Sequence, residues 1–468
     1  MAVKSARTAG RRAASSRTGA LMAAADVTVD ALFAHAGVLR AETVGEMFDV
    51  AGLLARQPLP RGDRVAVLTN AGGPGVACED ACEAAGLRVQ PLSDATRKQL
   101  AEGLGAGVST ANPVDMTASA TAVQYEGSLR VLLEADAVDA VVTVFVRPLA
   151  ARAAEVARGI AAAAQGADRP VLAVWLGADA PAAADAGVVP RFTTPEEAVR
   201  ALAHAVRHAR RRTAPPDPPY EPADADTATA ATTVAEGLGR GGGWLAPGDV
   251  ERLLRCWGIP VVASRLAASA QAAGRAAAEL GGPVALKAVA PGLVHKSDAG
   301  AVRLGLAGST AVRRAAGEMA RQLEAAGTTL EGFRVQRMAL AGPELIVGAV
   351  GDPAFGPLVA CGAGGVAAEL LGDIQVRLAP LGPREADGML RDLKTFPLLD
   401  GYRGRPRADL GSVRDLVMRV GALVAAHPAV AELDLNPVIA TPEGALVVDA
   451  HVRVDAPGPA AAFPSLNA

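Results

Sequence analysis

Two lysines bracket one histidine in the stretch ALKAVAPGLVHKSDAG, residues 285–300: Lys287 precedes His295 and Lys296 follows it directly. A neutral imidazole is a capable nucleophile toward a phosphoryl group, and cations beside it stabilise the phosphoramidate that forms. Asp298, just beyond, is placed to hold the ring in the useful tautomer. Lys287 falls inside the apolar run PVALKAV. An ammonium is costly there unless it faces an anion, and a nucleotide phosphate is one such anion. The plain alternatives are an idle, solvent-exposed loop histidine and a lysine whose stem snorkels from an edge strand.

Oxygen ligands lie further on. The runs ELDLNP and VVDA carry Asp434, Asn436 and Asp449, and pairing the two as a hairpin brings Asn436 and Asp449 together. Mg²⁺ favours one or two such protein ligands, completed by water and phosphate oxygens. Glu344 opens ELIVGAV, and Glu369 and Asp373 sit in GGVAAELLGDI. These acids are either metal or ribose partners, or partners of Arg377. A different chemistry is offered by NAGGPG, residues 70–75, with Asn70, Gly72, Gly73 and Gly75 between an apolar run and a helical pattern. Backbone N–H groups at the positive end of that helix can hold a phosphate or carboxylate. The same glycines equally fit a tight turn that lets helix and strand pack closely. ANPVDM, residues 111–116, is a second turn at the expected edge of the same sheet.

The elements that must position these residues follow from hydrophobic patterning. RVAVLT (64–69), DAVVTVFV (138–145) and PVLAVWLG (170–177) read as buried parallel strands, with Ala-rich helical stretches between them. That alternation argues for a doubly wound α/β sheet, with helices over 27–58 ahead of it. Residues 211–233 are Pro-rich, then acidic and Thr/Ala-rich, and read as a linker unable to bury a face. Beyond them a helix near 247–256, a strand GIPVVA, a long Ala helix and the strand PVALKAV precede a series of short strands: FRVQRM, ELIVGAV, PLVACG and IQVRLAP. This is an α+β domain in two lobes.

Composition narrows the function classes. Hydrophobic residues make up 50% of the chain and aromatics 3%, so Ala, Val and Leu must build the cores. A net charge of −3 with mixed signs gives no nucleic-acid footprint. No apolar run reaches the roughly 18–20 residues that cross a bilayer. Residues 1–25 are basic and Ser-rich, like an organelle transit peptide, but lack the apolar core of a secretory signal. Cys78 and Cys82, four residues apart on an Ala-rich helix, read as small core residues rather than half a metal site, and a reduced cytoplasm is expected. Of 46 basic residues only five are Lys, and the chain holds four Asn. The Lys and Asn that persist are read as places to look for a need that Arg or Asp would not meet. Two of the five lysines flank His295.

With these residues in place the chain resembles the ADP-forming acyl-CoA synthetases of the succinyl-CoA synthetase superfamily. Residues 234–468 resemble the family's ATP-grasp domain in ALKAVAPGLVHKSDAGAV, PELIVGAVGDPAFGP, CGAGGVAAELLGDIQVRLAPL and AELDLNPVIATPEGALVVDA. Within 26–210, LTNAGGPG and ANPVDM resemble its flavodoxin-like ligase domain. The fold so implied is a flavodoxin-like doubly wound domain, the linker 211–233, and a two-lobed ATP-grasp domain. The resemblance implies that Lys287, Lys296, Gln336 and Glu344 serve ATP or ADP and that Asn436 and Asp449 hold Mg²⁺. It also implies that His295 is a phosphorylated histidine on a swinging loop, and that the helix after NAGGPG steadies the phosphohistidine.

Departures from the family pattern bear on activity. Typical members begin with a CoA-binding Rossmann domain and a first ligase domain, and residues 1–25 resemble only the tail of the latter. In the family that tail reads AASHTGAL, with the primary phosphorylated histidine; here the position is Arg17. Guanidinium stays protonated and cannot attack phosphorus, although it can clamp a phosphate. The expectation is an ATP-grasp subunit or fragment that needs a partner chain for CoA binding and for the first histidine. Burial of the broken ligase-domain edge favours association with that partner or with a second copy. The alternative is a non-catalytic paralogue that senses nucleotide or acyl-CoA and regulates another protein. A coding sequence begun too late is a third reading, and it leaves Arg17 unexplained.

Overall fold

The computed structural model describes residues 1–3, 25–105, 107–147, 153–177, 188–290, 300–352, 355–365 and 371–456. Two compact units emerge, one built mainly from residues 36–216, the other from 217 onward together with the helix Ala25–His35.

In the first unit the short strands β1 (Ala2–Val3) and β2 (Arg40–Ala41) pair with each other. The main sheet takes β3 (Val65–Thr69), β4 (Val114–Asp115), β5 (Ala140–Val146), β6 (Val171–Leu176) and β7 (Arg191–Phe192) in the order β4-β3-β5-β6-β7, all parallel. Every residue of β3 is buried, as a strand covered by helices on both faces requires. Counted within the sheet, the order is 2-1-3-4-5, the flavodoxin-like arrangement, whose switch point lies between β3 and β5. Tyr125, Phe145 and Trp175 stack in sequence on one face, with ring centroids 6.0 and 5.0 Å apart. Cys78 and Cys82 are buried free thiols in the opposite core, and the neighbouring Cys82 thiol, with burial, pushes Cys78 well above the ordinary cysteine range.

The second unit has two sheets. β9 (Ser264–Ala267), β10 (Pro283–Val289), β11 (Val302–Ala307) and β12 (Gly332–Arg337) form an antiparallel sheet in the order β11-β10-β12-β9. The helices Ala270–Leu280 and Ser309–Ala325 pack on one of its faces. β8 (Gly243–Trp244), β13 (Glu344–Asp352), β14 (Gly356–Ala363), β15 (Ile374–Leu378), β16 (Val430–Thr441) and β18 (Ala450–Val454) form the larger sheet, with β17 (Gly444–Val447) as hairpin partner of β16. Its main core lies under the helices Pro383–Arg391 and Leu410–Ala426. Ala31, from the helix Ala25–His35, covers Leu358, Ala360 and Val376 in a smaller cluster.

Two local expectations changed. GIPVVA is not a strand: β9 starts at Ser264, and Val261 makes a single bridge to Val447. Val447 N–H donates to the Pro260 carbonyl and Val262 N–H donates to the Val447 carbonyl, both at 2.9 Å, and these two bonds make up the whole bridge. The stretch 211–233 does bury a face. The helix Thr227–Gly239, N-capped by Asp226, places Ala230, Thr233 and Val234 in the core, and Tyr220 donates its hydroxyl to Asp415 at 2.8 Å. Ala and Thr in a helical register supplied an apolar stripe that a composition argument could not resolve.

His427 follows the helix Leu410–Ala426, edge-on to Trp257 with centroids 5.7 Å apart. Its Nε2 is buried without a hydrogen-bond partner, and burial lowers its pKa from 6.5. Folding thus disfavours protonation of the ring, whereas the unfolded chain takes up a proton near the ordinary value. Its stabilising contribution is therefore complete above that value and lost as pH falls through it. His427→Gln is expected to flatten the decline of Tm between about pH 7 and 5, measured by thermal denaturation in matched buffers.

Candidate functional site

At the flavodoxin-like switch point, Asn70 follows β3 and spans to β5. Its Nδ2 donates to the Val146 carbonyl and its Oδ1 accepts from Val146 N–H, both at 2.8 Å. Asn112 does the same on the other side of β3. Its Oδ1 accepts from Val67 N–H at 2.9 Å, while Nδ2 donates to the carbonyls of Val65 and Gln90 at 2.8 and 3.0 Å. Each amide stands in for a peptide group, and a carboxylate cannot, because it has no donor. Asn70 is thus committed to the sheet rather than turned toward a ligand.

Gly72, Gly73 and Gly75 lie in the first turn of the helix Gly72–Ala84, whose N-cap, Ala71, has no capping side chain. A Cβ on Gly75 would sit 3.0 Å from Thr69 Cγ2 and 3.4 Å from Pro113 Cβ, so this glycine lets the helix close on β3. A Cβ on Gly72 would come within 3.1 Å of Asp115 Oδ2, whereas nothing lies within 4 Å of one on Gly73. Close packing thus explains Gly75, and the helix's positive end lies open at Gly73 with a carboxylate beside it. Asn70→Asp is expected to cost about 2–3 kcal/mol in urea unfolding, through the lost donor to Val146. A change under about half a kcal/mol would mean that the amide is not needed there.

The second cluster joins the two sheets of the second unit. Lys287 lies on β10, a strand flanked on both sides, not on an edge. Its side chain is 11% exposed, and Nζ lies 3.2 Å from Asp449 Oδ2. The anion expected opposite this lysine is, in this structure, a carboxylate. Asp449 Oδ1 accepts from Ala450 N–H at 3.1 Å, which fixes the other oxygen. Asn436 N–H donates to the Asp449 carbonyl at 3.0 Å, so the hairpin brings Asn436 and Asp449 side by side. Between β13 and β16 the register steps from Leu345↔Val438 to Val347↔Leu435. The extra residue on β16 makes a bulge at Asn436–Pro437, where a proline without N–H is tolerated. Asp434 sits next along β16, buried, opposite Gly348 and His451.

Gln336 stands beside Lys287 on the sheet, opposite Ala285 and Ser264. It is 1% exposed; Nε2 donates to the Val448 carbonyl at 3.2 Å, and Oε1 is buried without a partner. By strand alternation the face away from the helices carries Lys287, Gln336, Val302, Leu304 and Leu266. Leu304 and Leu266 are 65% and 61% exposed, and Arg334, opposite both Lys287 and Leu266, lies between them on the same face. Glu344 opens β13; its carbonyl accepts from Gly364 N–H at 2.8 Å, and a Cβ on Gly365 would lie 3.2 Å from its Oε2.

Asp373 takes neither expected role. Its carboxylate accepts from Lys394 N–H, Thr395 N–H and Thr395 Oγ1 at 2.6–2.9 Å, while Arg377 pairs with Asp392 at 3.1 Å. A short acid in front of a turn satisfies orphan backbone donors, and only the fold reveals that the turn at 394–395 is adjacent. Sequence reasoning also missed Leu266 and Leu304, although alternation in SRLA and VRLGLA carried the signal. Arg17, His295, Lys296, Asp298 and Glu369 lie outside the described residues. Among the described residues no group of three or more His, Cys, Asp or Glu forms a metal cage, and no helix is long and apolar enough to cross a membrane.

Three family models match the chain in order. They are a succinyl-CoA ligase like flavodoxin domain over residues 1–54, a Ligase-CoA domain over 65–212 and an ATP-grasp domain over 236–454. The beta subunit of ADP-forming acetate–CoA ligase I of Pyrococcus furiosus is 35% identical over 207 residues, 44% of this chain and 89% of that one. The chain belongs to the ADP-forming acyl-CoA ligase family. ADP-forming acetate–CoA ligase I of Archaeoglobus fulgidus is 34% identical over 443 residues, 94% of this chain. This family member spans 64% of that relative's length. The alpha subunit of ADP-forming acetate–CoA ligase II of P. furiosus is 40% identical over 139 residues, 30% of each chain. The family thus includes ligases divided into alpha and beta subunits.

Proposed function

We propose that this chain is the ATP-grasp part of an ADP-forming carboxylate–CoA ligase. It binds Mg²⁺–ATP or ADP between its two sheets and passes phosphate through His295. The observation that carries the reading is the 3.2 Å contact between Lys287 and Asp449. It joins the cation suited to a phosphate and the carboxylate suited to the metal, each from a different sheet. The donor set fits Mg²⁺: one carboxylate, one adjacent amide, and room in the shell for phosphate oxygens. Asn436 and Asp449 would hold the ion, which neutralises charge on the phosphates when bound.

The remaining roles belong to this chain's residues. Lys287 and Lys296 bind phosphate oxygens, and Gln336 and Glu344 complete the nucleotide cleft beside Leu266 and Leu304. His295 accepts the phosphoryl group at a ring nitrogen, with Asp298 holding its tautomer. The first turn of the helix Gly72–Ala84 receives the phosphorylated ring, and Arg17 clamps phosphate without attacking it. CoA and the primary nucleophilic histidine come from a partner chain, an arrangement supported by relatives divided into alpha and beta subunits.

Incubation with γ-labelled ATP and Mg²⁺ is expected to leave acid-labile, alkali-stable label on the protein, and His295→Ala to remove it. Adding a chain that carries the CoA-binding and first ligase domains is expected to yield acyl-CoA and ADP. Nucleotide binding with no label in either setting would favour the regulatory paralogue instead.

A further inference from the structure

We propose that a recess in the first unit, at the edge where its parallel strands begin, binds a small organic anion: a carboxylate or phosphate head on a short apolar body. The recess holds about 360 Å³ and lies between residues 59–62, which lead into β3, and the end of the helix Pro195–Thr213. The glycine-rich helix start at Gly72 lies at the other end of β3, so the two places are separate. Leu59, Pro60, Val206 and Ala209 form an apolar wall, the last three buried. Arg61, Arg210 and Arg212 line the recess as exposed residues. The wall is held from beneath. A Cβ on Gly62 would collide with the Asp139 carboxylate, which accepts from Arg64 N–H, Nε and Nη2 at 2.7–3.0 Å.

Charge around the recess does not balance. Asp63 takes Arg88 on Oδ1 and Arg210 on Oδ2, both at 2.6 Å. Asp168 takes Arg61 and lies 3.9 Å from Arg169. Arg212 pairs with no carboxylate among the described residues. Five guanidiniums thus share two carboxylates. Arg61 and Arg210 each commit only Nη2 to their acid, so both are held in place with donors left for a further anion. The end of a helix carries about half a negative charge, which one cation matches, whereas Arg210, Arg211 and Arg212 all stand in this last turn. Thr213 Oγ1 donates to the Ala209 carbonyl at 3.0 Å, which occupies one of the oxygens that would repel an anion. Guanidinium meets carboxylate and phosphate oxygens in pairs, and the apolar wall receives a body that a bare ion lacks.

The test titrates the whole chain with hexanoate, butyl phosphate, inorganic phosphate and hexanol, and follows each probe by saturation-transfer NMR. Hexanoate or butyl phosphate is expected to saturate with a Kd at or below about 1 mM, and the tighter of the two identifies the head group. Arg212→Glu is expected to weaken that probe about tenfold or more. Arg211→Glu makes the same change of charge at the neighbouring position, outside the recess, and is expected to weaken it by less than about threefold. An equal loss in both variants would reduce the effect to general electrostatics and overturn the site. Saturation that Arg212→Glu leaves unaltered would place the probe elsewhere and overturn it too. Hexanol binding as tightly as hexanoate would remove the role of the arginines. Inorganic phosphate binding as tightly as butyl phosphate would remove that of the apolar wall. Either result, or no saturation by either organic anion, overturns the proposal. None of these outcomes bears on the nucleotide reading, which rests on the other unit.

Discussion

A lysine ammonium placed in the middle of a flanked strand constrains everything around it. β10 cannot turn Lys287 toward solvent, so a carboxylate must be brought to it from outside its own sheet. The end of the larger sheet supplies it through the turn between β17 and β18. Removing either charge would leave the other poorly hydrated, a loss on the order of 3–5 kcal/mol for a fully buried pair and less for one with Asp449 at 22% exposure. The two sheets of this unit are therefore tied by one charged contact. Gln336 adds a neutral tie next to the charged one, through its hydrogen bond to the Val448 carbonyl.

The flavodoxin-like unit solves a different problem with similar economy. Its core is Ala, Val and Leu, which pack well but carry few directional contacts. Direction comes from two amides. Asn70 fixes the chain leaving β3 against the end of β5, and Asn112 fixes the returning chain against the flank of β3. The glycine-rich helix start is aimed by these four-atom groups, and Gly75 permits the final approach.

Much of this was legible in the sequence. The parallel sheet showed in the apolar runs RVAVLT, DAVVTVFV and PVLAVWLG, because strands buried on both faces need continuous hydrophobicity. The pairing of Asn436 with Asp449 followed from reading the runs ELDLNP and VVDA as a hairpin. Lys287 announced itself by being charged where its neighbours were not. What remained hidden depended on distant contacts. Asp373 serves a turn some twenty residues away, and no local pattern points there. The segment 211–233 looked soluble because prolines and acids dominate it, yet a helix inside it is held by a few small residues whose partners lie on other elements. The scarcity of Asn was a true signal with an incomplete interpretation: the survivors in this unit are structural amides, not ligand contacts.

Those amides carry a consequence for the protein's chemical lifetime. Asparagine converts to aspartate or isoaspartate when the next residue's backbone nitrogen attacks the side-chain carbonyl. Such a change at Asn70 or Asn112 would erase the donor that joins two strands. Asn112 and Asn436 are each followed by proline, whose nitrogen has no hydrogen to lose. Asn70 is followed by Ala71, whose N–H is already given to Thr69 Oγ1 at 3.1 Å. The sheet's most exacting contacts are thus shielded from spontaneous ageing by the residues that come next in the chain.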